Sequence, residues 1–237
     1  MARTVPVSSA SGALVAESVE EACATLRRGG VVAVPTESFY GLAASVGQDA
    51  AVNRLWDIKG RPAGKPILVL IADRAQLAGL VAAVPEGARA LMQVFWPGPV
   101  TIIFPAAPAV PPSITAGTRT IGVRFSAHPV VRALAMAVGP LTGTSANRSG
   151  EKPASTASEV EAALGAEIDL ILDGGTMTAE APSTVVDATG PVRIVRDGQV
   201  SAARIAEALR RSDLLLSEEH DKGSEGHGDG NAETHLR

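Results

Sequence analysis

The stretch SVEEACATLRRGGVVAVPT, residues 18–36, decides the fold class of this chain. Residues 18–28 have the spacing of an amphipathic helix, with Ser18 as the predicted N-cap and Glu21 completing a capping box. A pair of glycines ends that helix, and the β-branched residues that follow them predict a buried strand. A helix that leads through a short turn into a buried strand is typical of α/β domains.

Strands and helices continue to mix along the rest of the chain. Further strands are predicted at residues 66–72, 100–106, 120–125, 168–175, 183–189 and 192–198, and residues 140–147 start as a strand and end in a polar turn. Further helices are predicted at residues 49–58, 128–138, 156–165 and 201–211, and residues 73–94 are predicted to hold helical segments. Because some strands follow each other directly and others are joined by helices, the sequence predicts a single α/β domain. Its expected core is a twisted sheet of mixed parallel and antiparallel strands, flanked by helices.

The composition fits one domain whose body carries no net charge. The chain has 237 residues, of which 46% are hydrophobic, and this is enough to bury one core. Residues 217–237 hold six acidic and two basic residues, which leaves 19 of each in residues 1–216. A neutral body argues against a dedicated nucleic-acid-binding protein, because such proteins carry a clear basic excess.

The ends of the chain are predicted to lie outside the folded domain. We expect residues 1–17 to be an N-terminal extension, residues 18–216 to form the domain, and residues 217–237 to be a disordered acidic tail. The N-terminus lacks the pattern of a signal peptide, and no run of about 18 apolar residues predicts a membrane span. A cytoplasmic location is therefore expected. The single cysteine, Cys23, excludes an intramolecular disulfide and a cysteine-based metal site.

Two polar segments interrupt the apolar strands early in the chain. PTESFYGLA, residues 35–43, places polar side chains at the end of a strand, where open α/β sheets bind ligands. A capped turn between a strand and a helix explains this segment equally well. KGRPAGKP, residues 59–66, holds Lys59, Arg61 and Lys65 in a short loop with glycines and prolines. Three cations in a rigid loop suit a polyphosphate, and an exposed basic turn is the alternative.

A third polar segment is predicted on a strand in the middle of the chain. In TIGVRF, residues 120–125, Thr120, Gly122 and Arg124 share one face, because side chains alternate along a strand. An arginine on a half-buried strand needs an anionic partner, which is either a substrate carboxylate or phosphate, or an internal acid. His128 lies just before a proline, which favours a helix cap over a catalytic role.

Two further segments are open to structural interpretations. FWPGPVTIIF, residues 95–104, is interpreted as an aromatic plug and a rigid turn that sets the direction of the next strand. TGTSANRSG, residues 142–150, is a run of small hydroxyl and amide residues at the end of a strand. Such a turn can lie against a nucleotide, or it can be a polar loop without a ligand.

Nine segments in this order resemble the successive signatures of the YrdC/TsaC family of threonylcarbamoyl-AMP synthases. They are PTESFYGL (35–42), KGRP (59–62), FWPGPVT (95–101), TAGTRTIGVR (115–124), AHP (127–129), TSANRSG (144–150), DGG (173–175), STVVD (183–187) and VRDG (195–198). The similarity covers about residues 18–208. It implies the YrdC-type fold with a concave active-site groove. It also implies formation of threonylcarbamoyl-AMP and pyrophosphate from ATP, L-threonine and bicarbonate, for the threonylcarbamoyladenosine modification of tRNA.

The resemblance implies roles for individual residues. The positions that match threonine-binding residues are Thr36, Arg124 and Ser183. The positions that match ATP-binding residues are Lys59, Arg61, Thr120, Ser145, Asn147 and Arg196. No covalent nucleophile and no metal ligand of the protein is implied, and Mg²⁺ is expected to enter with ATP. The implied partners are the tRNA-modification proteins that use the adenylate, with weak RNA contact as a further possibility and no membrane.

The chain differs from longer relatives in two respects. Many of them have a histidine near the end of the second predicted strand, where this chain has Leu70, and they carry an additional C-terminal domain. Three other functions are alternatives to the synthase. They are a non-catalytic RNA-binding module, the carbamoyl-transfer domain of hydrogenase-maturation proteins, and a purely structural α/β domain. The neutral body argues against the RNA-binding module, and the single cysteine argues against the hydrogenase-maturation domain. The clustered cations argue against a purely structural domain.

Overall fold

In the computed structural model of the chain, strand β1 spans Arg3–Pro6, helix α1 spans Ala16–Arg27 and strand β2 spans Val32–Val34. The helix and the strand predicted from the opening stretch are therefore confirmed. The predicted capping box is wrong, because α1 begins before Ser18 and its N-cap, Val15, makes no side-chain hydrogen bond. The Ser18 hydroxyl instead donates to the last carbonyl oxygen of β1 at 2.6 Å, and this bond ties α1 to β1.

The structure describes residues 1–8, 13–60 and 65–211. The other strands are β3 (Gly41–Ala43), β4 (Val69–Ile71), β5 (Val100–Pro105), β6 (Thr120–Phe125), β7 (Leu141–Thr142), β8 (Thr144–Ser145), β9 (Leu170–Asp173), β10 (Thr184–Asp187) and β11 (Arg193–Arg196). The other helices are α2 (Asp49–Lys59), a 3₁₀ helix (Arg74–Gly79), α3 (Glu86–Phe95), α4 (Pro112–Thr115), α5 (Pro129–Val138), α6 (Ala157–Leu164) and α7 (202–211). The predicted helices are confirmed, and α4 adds a short one that the sequence did not indicate. The predicted tail at residues 217–237 lies outside the described residues.

The strands form two mixed sheets. The predicted α/β class and the mixed strand pairing are confirmed, but two sheets replace the one that was predicted. The first sheet has the order β1-β9-β2-β3-β8, and β9 is parallel to both of its neighbours. The second has the order β11-β10-β5-β6-β4-β7, in which β10 is parallel to β5 and β4 is parallel to β6. The remaining pairs in both sheets are antiparallel.

The division into two sheets occurs at Gly143, inside the segment that was predicted to start as one strand. Before it, β7 pairs with β4 in the second sheet, and after it, β8 pairs with β3 in the first. A Cβ at Gly143 would lie 2.5 Å from the Leu70 side chain, so this crossing requires a glycine. Thr142 joins the sheets, because its N–H donates to the Ala44 carbonyl at 2.9 Å and its hydroxyl accepts from the Ala44 N–H at 2.8 Å.

Strand β1 lies inside the segment that was expected to be an N-terminal extension, residues 1–17. It runs parallel to β9, with Arg3 opposite Leu170. Val5 and Val7 are buried against the first sheet and α1. The N-terminal segment therefore supplies an edge strand and apolar core contacts. The sequence alone did not indicate this strand, because its pairing partner lies far along the chain.

An apolar core covers one face of the second sheet. Ile102 and Phe104 from β5 point into it, as do Ile121 and Val123 from β6. Helices α3 and α7 contribute buried side chains to the same core. The other face of this sheet is directed at the first sheet, and the space between them holds the candidate site. Within the described ranges, no helix is both long enough and apolar enough to cross a membrane.

Candidate active site

A cavity of about 510 Å³ lies between the two sheets. Its floor is the second sheet, and β3, β8 and the segment before β3 form the opposite side. Its polar side chains come from several separate segments of the chain and include Thr36, Ser38, Thr101, Thr120, Arg124, Ser145, Ser183 and Arg196. Among the described residues that line this cavity there is no Asp or Glu. The cavity therefore presents cations and hydroxyl groups, which suit an anionic ligand.

Strand β6 carries the face of alternating residues that the sequence predicted. Thr120, Gly122 and Arg124 all line the cavity, while Ile121 and Val123 are buried in the core on the other face. The prediction is confirmed because the alternation of side chains depends only on the extended backbone.

Arg124 is the most deeply buried cation of the cavity. Its side chain is 5% exposed, and its Nη2 lies 3.6 Å from Oε2 of Glu37, which is beyond hydrogen-bond length. Its Nε has no hydrogen-bond partner among the described residues. Burial lowers the pKa of Arg124, and the Glu37 carboxylate opposes that shift. The Glu37 carboxylate itself accepts from the Ser126 hydroxyl at 2.8 Å and from the Ala127 N–H at 2.9 Å. The internal acid therefore satisfies Arg124 only in part.

Arg196 binds Ser183 at the other side of the floor. Its Nη2 donates to the Ser183 carbonyl oxygen at 2.7 Å and to the Ser183 hydroxyl at 3.1 Å, and its Nε donates to the same carbonyl at 3.2 Å. Burial is the main cause that lowers the pKa of Arg196, and the positive charge of Arg124 lowers it further. Two guanidinium groups that repel each other in one cavity favour the binding of an anion between them.

Thr36 organises the segment that enters the cavity from β2. Its hydroxyl donates to the Phe39 carbonyl at 2.7 Å and accepts from the Ser38 N–H at 3.1 Å, which closes a tight turn. Tyr40 then anchors this turn, because its hydroxyl donates to the Gly175 carbonyl at 2.9 Å. Burial raises the pKa of Tyr40 to about 12, so its phenol stays neutral. The capped-turn interpretation and the ligand-site interpretation of this segment are therefore compatible.

Lys59 fixes the turn that follows β8. Its side chain is buried, and Nζ donates to the carbonyl oxygens of Ser145 and Asn147 at 2.6 and 2.5 Å and to the Asn147 side-chain oxygen at 2.8 Å. The Ser145 hydroxyl donates to the same side-chain oxygen at 2.5 Å. The structure thus brings together three of the residues predicted to bind ATP, which are Lys59, Ser145 and Asn147. Arg61, the neighbouring predicted cation, lies outside the described residues.

The comparisons with known proteins identify the family. The model of the Sua5_yciO_yrdC family, described as "Telomere recombination", matches residues 24–198. The chain belongs to this family. A threonylcarbamoyl-AMP synthase of Thiobacillus denitrificans is 46% identical over 172 residues, which are 71% of this chain and 90% of the relative.

Two solved structures of Sua5/YciO/YrdC proteins share the fold. The crystal structure of Pyrococcus abyssi Sua5 complexed with L-threonine matches with a TM-score of 0.82 and 34% identity, over 86% of this chain and 60% of that one. The crystal structure of Escherichia coli YciO matches with a TM-score of 0.76 and 27% identity, over 86% of this chain and 98% of that one. The chain therefore spans nearly all of the YciO structure and about three fifths of the Sua5 structure.

Leu70, for which the resemblance implied a histidine in longer relatives, is fully buried and absent from the cavity lining. It lies on β4 opposite Arg124 in the parallel register with β6. Its side chain fills the space beside Gly143 that a Cβ would need. In this chain Leu70 thus supports the crossing between the two sheets.

Two residues at or beside this cavity were not indicated by the sequence. Thr101, on β5, lines the cavity, and its hydroxyl is hydrogen-bonded to the Ser183 hydroxyl. Gln199 donates from Nε2 to the Ser38 hydroxyl at 2.8 Å and to the Ala181 carbonyl at 3.0 Å, so it joins the chain after β11 to the turn before β3. The available signal for Thr101 was a lone hydroxyl in an apolar strand. Gln199 carried no signal, because its partners are distant in sequence.

Proposed function

We propose that this protein is a threonylcarbamoyl-AMP synthase, which joins ATP, L-threonine and bicarbonate and releases pyrophosphate. The adenylate serves the threonylcarbamoyladenosine modification of tRNA. The observation that supports this most directly is a cavity lined by the buried guanidinium of Arg124, a second and more exposed guanidinium at Arg196, and several hydroxyls. It occurs in a chain that is 46% identical to a threonylcarbamoyl-AMP synthase over 172 residues. ATP and tRNA both occupy the cytoplasm, so we expect the protein to act in that compartment.

Arg124 is the proposed partner of the threonine carboxylate. Its guanidinium is buried, is only loosely paired with Glu37, and has an Nε without a partner among the described residues. A carboxylate can accept two parallel N–H bonds from such a group, and the low polarity of the surroundings strengthens them. The hydroxyls of Thr36 and Ser183 line the same cavity and are the proposed contacts for the rest of the amino acid.

The nucleotide is proposed to lie beside threonine, at the end of the cavity lined by Thr120 and Ser145. Lys59 and Asn147 hold the Ser145 turn in shape, and Arg196 supplies a second guanidinium. Arg61, at the position that resembles an ATP-binding arginine of the family, is proposed to contact the triphosphate. Because no carboxylate is found among the described lining residues, the magnesium ion that accompanies ATP is expected to be held by phosphate oxygens and water.

The proposed reaction needs no nucleophile from the protein. The threonine amine adds to bicarbonate and, with loss of water, gives a carbamate. A carbamate oxygen then attacks the α-phosphorus of ATP, the bond from that phosphorus to the bridging oxygen breaks, and pyrophosphate leaves. The protein aligns the reactants and neutralises their charges, and alignment of this kind can supply a large part of the rate acceleration. The cations and hydroxyls of this cavity fit that task.

Pyrophosphate release is expected to require L-threonine and bicarbonate together. The reason is that the attacking oxygen belongs to the carbamate, which forms only when both are present. Purified protein would be incubated with ATP, labelled bicarbonate and single amino acids, and pyrophosphate and a labelled adenylate would be measured. Equal release when threonine is omitted would refute the synthase assignment. RNA binding without any turnover of ATP would support the non-catalytic RNA-binding module instead.

Gly122→Val is expected to lower kcat at least about tenfold while changing the KM values for ATP and threonine much less. Gly122 lies on β6 between Thr120 and Arg124, so the two substrates are proposed to meet above it. A Cβ there would meet only Thr101 and Ile103 side-chain atoms, at 3.4 and 4.0 Å, so the strand can accept the substitution. The added methyl groups would then occupy the cavity.

The control for this substitution is Gly79→Val, at a glycine whose added Cβ would meet nothing within 4 Å. Steady-state kinetics of both variants, with thermal melts, would check the prediction. A Gly122→Val variant that melts like the wild type and retains its full kcat would contradict the proposed meeting point of the substrates.

A further inference from the structure

A pair of buried hydroxyls, Thr101 on β5 and Ser183 before β10, lies on the cavity floor. They are 2% and 3% exposed, and their oxygen atoms are 3.0 Å apart. Ser183 is a proposed contact of threonine, whereas the proposed function gives Thr101 no role. Its hydroxyl has no hydrogen-bond partner other than Ser183 within the described part of the chain.

The contacts of Ser183 restrict how the hydrogens of this pair are arranged. A hydroxyl has one hydrogen to donate and two lone pairs to accept with, and a guanidinium can only donate. Arg196 therefore donates to the Ser183 hydroxyl oxygen, at 3.1 Å, and occupies one of its lone pairs. The second lone pair and the hydrogen of Ser183 remain for Thr101 and for a ligand in the cavity.

The orientation of Thr101 favours one of the two possible arrangements, in which either Ser183 or Thr101 is the donor of this bond. The position of a Cβ built on Gly122 is 3.4 Å from the Thr101 methyl group, so the methyl is turned toward β6 and the hydroxyl toward β10. If Ser183 donated to Thr101, the Thr101 hydrogen would have no partner among the described residues, and Ser183 would have no hydrogen left for a ligand. If Thr101 donates to Ser183, both lone pairs of Ser183 are filled, and its hydrogen is left for a ligand.

We infer that Thr101 is a positioning residue for the amino-acid substrate, because it donates to Ser183 and leaves the Ser183 hydrogen directed at an anionic oxygen of that substrate. This inference rests on the proposed function. The charge of Arg196 on the same oxygen polarises the Ser183 O–H bond and makes it a stronger donor. Thr101 acts only through Ser183, so its effect disappears when Ser183 has no hydroxyl.

The test replaces Thr101 with valine, which keeps the shape and the methyl group and removes the hydroxyl. Thr101→Val is expected to raise the KM for L-threonine about five- to tenfold, which corresponds to the loss of one neutral hydrogen bond. The KM for ATP should change less than about twofold, and the melting temperature should stay near that of the wild type. Thr101→Ser, which retains the hydroxyl, should restore the wild-type KM for threonine.

A double-mutant cycle separates positioning from a structural role. In a Ser183→Ala background, Thr101→Val should add nothing further to the KM for threonine, because its effect passes through the missing hydroxyl. Three results would overturn the inference. One is an effect of Thr101→Val that adds to that of Ser183→Ala, and another is an equal rise in the KM values for threonine and ATP. The third is a Thr101→Ser variant that is as impaired as Thr101→Val. The inference would also be overturned if the wild type were active and Thr101→Val had the same KM for threonine. A wild type that neither binds L-threonine in calorimetry nor releases pyrophosphate would overturn the proposed function, and this inference with it.

Discussion

Arg124→Met is expected to raise the KM for L-threonine by about 100-fold or more, because it removes two charge-assisted hydrogen bonds to the substrate carboxylate. The variant should nevertheless melt near the wild-type temperature or above it. Arg124 is buried and only loosely paired with Glu37, and a buried charge in such a setting contributes little net stability. The Glu37 carboxylate keeps its bonds to Ser126 and Ala127 after the substitution.

Steady-state kinetics with threonine varied at saturating ATP and bicarbonate would measure this effect. Arg89→Met, at an exposed arginine of α3, is the matched control and should leave both the KM values and the melt unchanged. Arg124→Lys keeps the charge but loses the planar pair of donors, so it should fall between the wild type and Arg124→Met. A rise confined to the KM for ATP would show instead that Arg124 binds the nucleotide.

Lys59→Met is expected to lose both stability and nucleotide affinity. The ammonium group of Lys59 supplies hydrogen bonds to two carbonyl oxygens and one side-chain oxygen of the Ser145–Asn147 turn, and the two bonds to Asn147 are buried. Loss of these three hydrogen bonds, which leaves the Asn147 carbonyl oxygen without a donor among the described residues, should cost about 3 kcal/mol of unfolding free energy. For a domain of this size, that corresponds to a melting temperature lower by roughly 6–12 °C. The KM for ATP should rise more than about tenfold, because Ser145 loses its fixed position.

Lys152→Met, at an exposed lysine near the same turn, is the control and should behave like the wild type. Thermal melts and ATP kinetics on the same preparations would separate two roles of Lys59. If Lys59→Met lost ATP affinity but kept the wild-type melting temperature, Lys59 would be a phosphate ligand and not a support for the turn.

The helices, most strands and the cavity face of β6 could be predicted from sequence because they depend on local periodicity. Side chains alternate between the two faces of an extended strand. One face of β6 therefore lines the cavity with Thr120, Gly122 and Arg124, and the other enters the core with Ile121 and Val123. The capping box at Ser18 failed although its pattern was present. The hydroxyl of Ser18 found a partner in the last carbonyl of β1, which belongs to another element.

The role of each cation could not be predicted locally. Lys59 and Lys65 look alike in the sequence, yet Lys59 is buried against the Ser145 turn and Lys65 lines the cavity. Arg124 is separated from Glu37 along the chain, and only the packing of β6 beside the turn after β2 brings them within 3.6 Å. Burial and pairing decide whether a cation supports the structure or remains available to a ligand.

The sequence by itself determined the α/β class, the order of most elements, the family, and the residues that form the face of β6, because each of these is a property of neighbouring or matched positions. Only the tertiary structure decided that there are two sheets, that β1 completes the first, that Thr101 lines the cavity, and that Gln199 bonds to the turn before β3. The physical reason is that these features depend on contacts between distant segments. At Gly143, where the chain changes sheets, a glycine is required because the Leu70 side chain from a distant strand fills the space that a Cβ would need.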